Sequence, residues 1–123
     1  MGLTHITGIA HAASKRVTVK FLVDSGASYT LLPYHIWRTF GLKGMGTIRY
    51  ELADGTEVER RLSECMLELD KRRRHTPVIL GEKDDTVLLG AITLEEFGLV
   101  LNPFTRQLQP MRMMLAGASK NRE

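Results

Sequence analysis

One run of alternating side chains constrains the fold of this chain more than any other feature. Between Arg16 and Val23 apolar residues return at every second position, and the run ends at Asp24-Ser25-Gly26. A period of two places the apolar side chains on one face, so we predict a β-strand with one buried face here. The small residues that follow require a tight turn directly after the strand. A carboxylate at the end of a buried strand is costly unless it is hydrogen-bonded or protonated.

The rest of the chain is typical of short strands interrupted by two short helices. Asp54-Gly55 joins two alternating runs, which indicates a hairpin because both residues tolerate positive φ. The sequence Thr93-Leu94-Glu95-Glu96 reads as a capping box at the start of a helix. Predicted strands cover residues 16–23, 48–52, 56–62, 65–69, 76–80, 86–90 and 99–102, and predicted helices cover 33–40 and 93–97. A short apolar run at 30–32 and a returning segment at 107–109 complete the pattern, which amounts to seven or eight short strands. This pattern predicts a mainly-β domain of barrel or sandwich type.

Composition limits the classes of protein to which the chain can belong. Its 123 residues fit one domain, and its single cysteine, Cys65, excludes an internal disulfide framework. No apolar run approaches the roughly 18 residues of a membrane span, and the start lacks the pattern of a secretory signal. The four histidines lack the spacing of metal ligands. We therefore expect a cytoplasmic protein without metal, cofactor or membrane partner, in which Cys65 is a buried structural thiol.

Most of the net charge of +3 comes from one basic run, Lys71 to His75. One interpretation of such a run is a nucleic-acid-binding patch. No aromatic residue that could stack on bases interleaves with the charges, so a solvated hairpin turn between two strands is favoured. We expect no nucleic-acid partner.

The residues next to Asp24 leave two interpretations open, a carboxylate that caps a turn and a carboxylate that takes part in chemistry. The longer segment Phe21-Leu22-Val23-Asp24-Ser25-Gly26-Ala27-Ser28, followed by Leu31-Leu32-Pro33, resembles the active-site segment of the retropepsin-like aspartic proteases. Two later segments agree with that family in order and spacing. Asp54-Gly55 stands where its flap hairpin lies, and Leu88-Leu89-Gly90 is similar to its apolar-apolar-glycine strand.

This resemblance implies a retropepsin-like acid protease barrel with one or two short helices, which forms half of a two-fold symmetric dimer. Residues 15–110 would be the protease domain, residues 1–14 an N-terminal segment with a possible dimer-contacting strand, and residues 111–123 a C-terminal segment with a disordered tail. The chain contains one Asp-Ser-Gly motif and no second copy of it. The second carboxylate of such a site would therefore come from another copy of the chain.

The resemblance also implies roles for single residues. Asp24 would be the catalytic carboxylate, and the supporting loop residues would be Ser25, Gly26 and Ala27. Flap and substrate-binding residues would be Ala53, Asp54, Gly55 and Thr56, and the strand near the site would hold Leu88, Leu89 and Gly90. The implied activity is that of an aspartic endopeptidase, in which an Asp dyad shared between two chains activates water to hydrolyse a peptide or protein at acidic pH. The alternative is a catalytically inactive module of the same fold that serves dimerisation or protein interaction.

Overall fold

The structure, a computed structural model, describes residues 3–111. The strands are β1 (His5–Ala12), β2 (Lys15–Val23), β3 (Thr30–Leu32), β4 (Thr47–Glu51), β5 (Glu57–Leu69), β6 (Arg72–Leu80), β7 (Leu88–Leu89), β8 (Leu99–Leu101) and β9 (Leu108–Pro110). The helices are α1 (Tyr34–Trp37) and α2 (Ala91–Glu96), with a 3-10 turn at Arg38–Phe40. Of the expected C-terminal segment 111–123, only Met111 lies among the described residues. No helix within residues 3–111 is long and apolar enough to cross a membrane.

Six strands close into a ring in the order β1-β2-β7-β3-β6-β5, because β5 also pairs with β1. The pairs β2–β7 and β3–β6 are parallel, and the other pairs of the ring are antiparallel. The closing contact between β1 and β5 consists of three residue pairs, from Ile9–Glu68 to His11–Met66. Strand β4 is attached outside the ring to the first part of β5, and β8 and β9 form a separate two-stranded sheet. The mainly-β barrel with short helices is therefore confirmed.

The apolar face predicted for residues 17–23 lies in the centre of this ring. Val19, Phe21 and Val23 of β2 are at most 6% exposed, whereas the alternating residues Thr18 and Lys20 are exposed. Each such apolar side chain contributes roughly 1.5–3 kcal/mol when it is removed from water. The predicted strand is confirmed, and its buried face orients the chain that leads into Asp24.

Strand β5 differs from the prediction, since the two expected strands at 56–62 and 65–69 are one strand of 13 residues. Residues 57–61 pair with β4, and residues 61–69 pair with β6. The apolar pattern changes along β5, because its first part belongs to an exposed hairpin and its second part crosses the core. This change suggested two separate strands. The same strand thus carries an exposed pattern at one end and a buried pattern at Cys65, Leu67 and Leu69.

The expected hairpin turn over the basic run is wrong in its extent. The turn consists of Asp70 and Lys71, which have φ values of 50° and 67°. Residues Arg72 to His75 already belong to β6 and pair with Leu69 to Met66 of β5. Their side chains are exposed along the strand. A run of charged residues therefore did not indicate where the turn lies.

The capping box predicted at Thr93 is also wrong. Helix α2 begins at Ala91, its N-cap is Gly90, and no side chain caps it. Thr93 is fully buried. Its hydroxyl forms a hydrogen bond with the Thr30 hydroxyl in the interior and does not cap the helix. The helix predicted over 33–40 is present as α1 and the 3-10 turn, and it ends at Gly41 in the left-handed conformation.

Candidate active site

Asp24 directly follows β2, and its side chain is partly buried. Its N–H donates to the carbonyl of Leu89 at 3.0 Å, which ties this point of the chain to β7. Its carboxylate oxygen Oδ1 accepts the N–H of Gly26 at 3.0 Å, and its carbonyl accepts the N–H of Ala27 at 3.1 Å. Among the residues that the structure describes, Oδ2 has no hydrogen-bond partner. The predicted turn is confirmed, and it presents a carboxylate with one oxygen held and one available.

The loop 25–29 is held against the start of α2 by backbone contacts. The N–H of Ala91 donates to the carbonyl of Ala27 at 2.8 Å. Gly90 lies so close to Tyr29 that a β-carbon on it would stand 2.4 Å from the carbonyl carbon of Tyr29. Only glycine permits this approach, since any side chain would push the loop away from the helix.

Three buried threonine hydroxyls lie beneath the same loop. Thr30 Oγ1 accepts the N–H of Gly90 at 3.0 Å and lies 2.6 Å from Thr93 Oγ1. Thr93 Oγ1 lies 2.7 Å from Thr76 Oγ1. All three residues are at most 1% exposed, and they come from β3, α2 and β6. This chain of hydrogen bonds connects three elements under the turn that carries Asp24.

A cavity of about 560 Å³ lies between the Asp24 loop and the β4–β5 hairpin, which we define as residues 47–61. Five of the residues predicted to form the site line this cavity, namely Asp24, Gly26, Ala27, Ala53 and Leu88. They come from three distant parts of the chain, which the fold brings together around one space. The arrangement provides a groove with a carboxylate on one side and a hairpin on the other.

The other predicted site residues lie near the cavity but do not line it. Ser25 is exposed on the loop, and the hairpin turn 54–56 is exposed as well. Leu89 and Gly90 are buried behind the loop, where they hold the backbone of Asp24 and the side chain of Thr30. Leu89 and Gly90 therefore support the loop that carries Asp24 and do not line the cavity.

The turn of the β4–β5 hairpin is closed by its own polar groups. Asp54 Oδ1 accepts the N–H of Thr56 at 2.9 Å, and Gly55 has a φ of 90°. Hydrogen bonds from the Thr56 hydroxyl and N–H lower the pKa of the Asp54 carboxyl. The Asp-Gly hairpin prediction is therefore confirmed, with a charged carboxylate at the tip.

Most of the cavity wall was not identified from the sequence. It is largely apolar, with Tyr29, Leu31, Ile48, Leu52 and Ile79 among the lining residues, and it also includes Arg49 and Glu51. The alternation of Ile48 and Tyr50 on β4 is the one signal that indicated a shared face. The others lie on separate elements, so only the assembled fold shows that they meet.

Tyr50 of β4 lies in the cavity lining. Burial raises the pKa of its phenol, while the nearby Arg60 guanidinium acts in the opposite direction. Asp85 and Glu82 raise this pKa further. Tyr50 consequently presents a neutral phenol in the wall of the cavity.

Cys65, which was another candidate residue, has a structural role. Cys65 is 4% exposed, and burial raises the pKa of its thiol to about 11, so the expected buried thiol is confirmed. Within residues 3–111 no group of three or more His, Cys, Asp or Glu side chains could hold a metal ion.

Comparisons with known proteins agree with this geometry. A family model described as aspartyl protease matches residues 10–92, which include the Asp24 loop, the β4–β5 hairpin and β7. The solution structure of the simian foamy virus (mac) protease matches with a TM-score of 0.56 at 16% sequence identity, over 76% of this chain and 94% of that chain. No curated protein matches the sequence significantly. At this identity the structural match establishes the fold, which is that of a retroviral protease.

Proposed function

The chain belongs to the aspartyl protease family, and on that premise we propose that it is an aspartic endopeptidase whose site is completed by a second copy of the chain. The observation that carries this proposal is the position of Asp24. Its carboxylate lies in an apolar groove, with one oxygen held by Gly26 and a hairpin opposite it. Such a groove suits an extended peptide lying over a water molecule that the carboxylate polarises.

A second carboxylate is required because a single one cannot act as base and acid at the same moment. The other carboxylate in the cavity lining is Glu51, which lies on the hairpin near Gly55. In a two-fold dimer the same loop of both chains would face across the axis, so that two copies of Asp24 share one proton. This arrangement makes the dimer a condition of activity.

The chemistry then follows from the protonation states of the two aspartates. The ionised Asp24 takes a proton from water while the water oxygen attacks the carbonyl carbon of the substrate peptide. The protonated Asp24 of the other chain donates its proton to the carbonyl oxygen, which yields a neutral tetrahedral diol. When the C–N bond breaks, the Asp24 that took the proton from water gives it to the leaving nitrogen. The other Asp24 takes back a proton from one hydroxyl, so that the diol becomes a carboxylic acid and the dyad returns to its starting state.

The surrounding residues of this chain position that chemistry. The N–H of Gly26 orients the Asp24 carboxylate, and the bond from Asp24 N–H to Leu89 keeps the turn at the end of β2. The β4–β5 hairpin would act as the flap, with Ala53 over the groove. Closure of such a hairpin over a bound peptide excludes water other than the nucleophile.

The proposal is tested by comparing Asp24→Asn with Asp84→Asn, an exposed aspartate on the loop before β7. Each variant is assayed on an unfolded protein substrate from pH 3 to 7, with and without a statine-type transition-state mimic. Asp24→Asn is expected to lower kcat/KM by roughly 10²–10⁴-fold or more, since it removes the group that activates water. Asp84→Asn is expected to behave as wild type.

Equal cleavage by wild type and Asp24→Asn would end this proposal. If neither protein cleaves any substrate while sedimentation shows a stable dimer, the chain is an inactive dimerisation or protein-interaction module of the same fold.

A further inference from the structure

The β4–β5 hairpin has little backbone support of its own. Strand β4 pairs with β5 and with no other strand of the described chain, and the pairing of β5 with β6 begins at Arg61. Residues 57–60 therefore have β4 as their one strand neighbour within residues 3–111. Backbone hydrogen bonds join Leu62 to Met45 and Gly46 at the base of the hairpin, and side-chain contacts near this base add to its support.

One such contact joins Arg60 of β5 to Asp85 of the loop 81–87. Arg60 Nε donates to Asp85 Oδ2 at 3.0 Å, and Nη2 donates to Oδ1 at 3.4 Å, so the guanidinium holds both carboxylate oxygens. The two side chains are 16% and 23% exposed. A bidentate, mostly buried ion pair of this kind fixes the relative orientation of its two side chains better than an exposed ion pair does.

The Asp85 carboxylate is itself held in place by its own loop. Its Oδ2 accepts the N–H of Glu82 at 2.7 Å, and the N–H of Asp85 donates to the carbonyl of Glu82 at 3.2 Å. Burial raises the pKa of Asp85, but the hydrogen bonds from Arg60 and from the Glu82 N–H outweigh it and leave this pKa below its usual value. A β-carbon on Gly81 would lie 3.0 Å from Asp85 Oδ2, so glycine leaves room for the carboxylate.

Arg61, the next residue of β5, reaches the same loop by a second route. Its guanidinium lies 5.4 Å from the centre of the Trp37 ring, and Trp37 Nε1 donates to the carbonyl of Gly81 at 2.7 Å. Two adjacent arginines thus connect the base of the hairpin to residues 81–85.

The chain that follows this loop supports the catalytic turn. The carbonyl of Val87 accepts the N–H of Leu22 at 3.1 Å, and the carbonyl of Leu89 accepts the N–H of Asp24 at 3.0 Å. Residues 81–89 therefore contact the hairpin at one end and the Asp24 turn at the other. Arg60 and Asp85 do not line the cavity, whereas Tyr50 does. The charges of both residues act on the pKa of the Tyr50 phenol.

From these contacts we infer that Arg60 and Asp85 are a positioning pair that holds the β4–β5 hairpin at a fixed height over the Asp24 groove and so sets substrate affinity. This inference rests on the proposed peptidase function. Loss of the pair leaves the Asp24 turn intact, because the bonds to Leu89 and Gly26 remain. The hairpin then samples open positions, and substrate binding weakens more than the chemical step.

Three variants test the pair: Asp85→Asn, Arg60→Met and the double variant. Asp85→Asn keeps the side-chain shape and an oxygen that can accept the Glu82 N–H. It removes the nearer of two carboxylate charges that face Arg60, the other being the exposed Glu82 at 3.9 Å. Each single variant is expected to raise KM about tenfold with kcat changed less than threefold, and the double variant is expected to be no worse than either single one. Assays are run at concentrations where specific activity no longer rises, so that dimerisation does not enter KM.

The matched control is Arg73→Met, which removes the arginine of another ion pair, Arg73–Glu68 at 3.2 Å, at the opposite end of β5. It is expected to leave KM unchanged. Asp85→Glu keeps the negative charge, so its KM is expected to be closer to the wild-type value than that of Asp85→Asn. Such a recovery would show that the higher KM of Asp85→Asn comes from the lost charge and not from misfolding.

Hydrogen–deuterium exchange supplies a readout that needs no turnover. Amides of residues 48–60 are expected to exchange at least fivefold faster in Asp85→Asn and in Arg60→Met, while amides of β2 and β6 keep their rates. Unchanged exchange and unchanged KM, or additive effects in the double variant, would overturn the inference. If Asp24→Asn is as active as wild type, the peptidase proposal fails instead, and the exchange rates still decide whether the pair holds the hairpin.

Discussion

Thr30, Thr76 and Thr93 place three hydroxyl groups in the interior, where each unpaired group would be costly. Thr30 Oγ1 accepts from Gly90 N–H and can donate its own hydrogen to Thr93. Thr93 stands between the other two, and its hydroxyl lies within hydrogen-bonding distance of both. The geometry of the backbone next to Asp24 therefore depends on a residue that is far from it in sequence.

Replacement of Thr93 by valine tests this dependence, because valine keeps the shape and removes the hydroxyl. Two buried hydroxyls lose a partner, so we expect the free energy of unfolding to fall by about 2 kcal/mol. Urea unfolding measures this value. The control is Thr18→Val at an exposed position of β2, which should change stability by less than about 0.5 kcal/mol. A Thr93→Val protein as stable as wild type would show that the hydroxyl chain contributes nothing.

Among the elements, the β5–β6 hairpin shows most clearly how sequence and structure differ. Its two turn residues, Asp70 and Lys71, both have positive φ, as a two-residue turn of the favoured hand requires. Lysine is poorly suited to this conformation, since its β-carbon crowds the backbone. The pairing of Leu69 with Arg72 closes the turn all the same, because β5 and β6 are paired along nine residues.

We expect Lys71→Gly to stabilise the protein by about 0.5 kcal/mol, the relief of backbone strain less the extra entropy of glycine in the unfolded chain. The shift of the urea midpoint measures this effect. Lys20→Gly, at an exposed position within β2, is the matched control and should lower stability by about 0.5–1 kcal/mol. A loss of stability in both variants would contradict the role given to the positive φ.

For the whole molecule, the decisive question is how many chains make one site. The cavity holds Asp24 but no second aspartate among its lining residues. If activity needs two copies of the Asp24 loop, the activity per chain must depend on the concentration of chains, because dilution separates the two copies.

We expect specific activity to fall on dilution, as dimers dissociate. At a fixed amount of wild type, a growing excess of Asp24→Asn chains should suppress cleavage, because mixed dimers carry only one carboxylate. Steady-state assays with a labelled peptide measure both effects, and an equal excess of albumin serves as control. Specific activity that is independent of dilution and of added Asp24→Asn would place the complete site in one chain.

The local parts of this protein could be predicted from its residues. The period of two in β2, the small residues of the Asp24 turn and the Asp-Gly hairpin are short-range patterns, and each appears where it was expected. Their resemblance to the active-site and flap segments of a known family also pointed to the correct fold. Sequence neighbours determine such features because backbone sterics and strand alternation act over only a few residues.

Tertiary structure alone decided the features that join distant residues. The alternation within β5 did not show that it is a single strand, the capping-box pattern at Thr93 concealed a buried hydroxyl, and nothing local connected Arg60 to Asp85. The walls of the groove meet only after β7 enters between β2 and β3 and β1 closes on β5. Such contacts depend on the packing of the whole ring, since their partners are brought together by burial of other side chains and not by their own sequence.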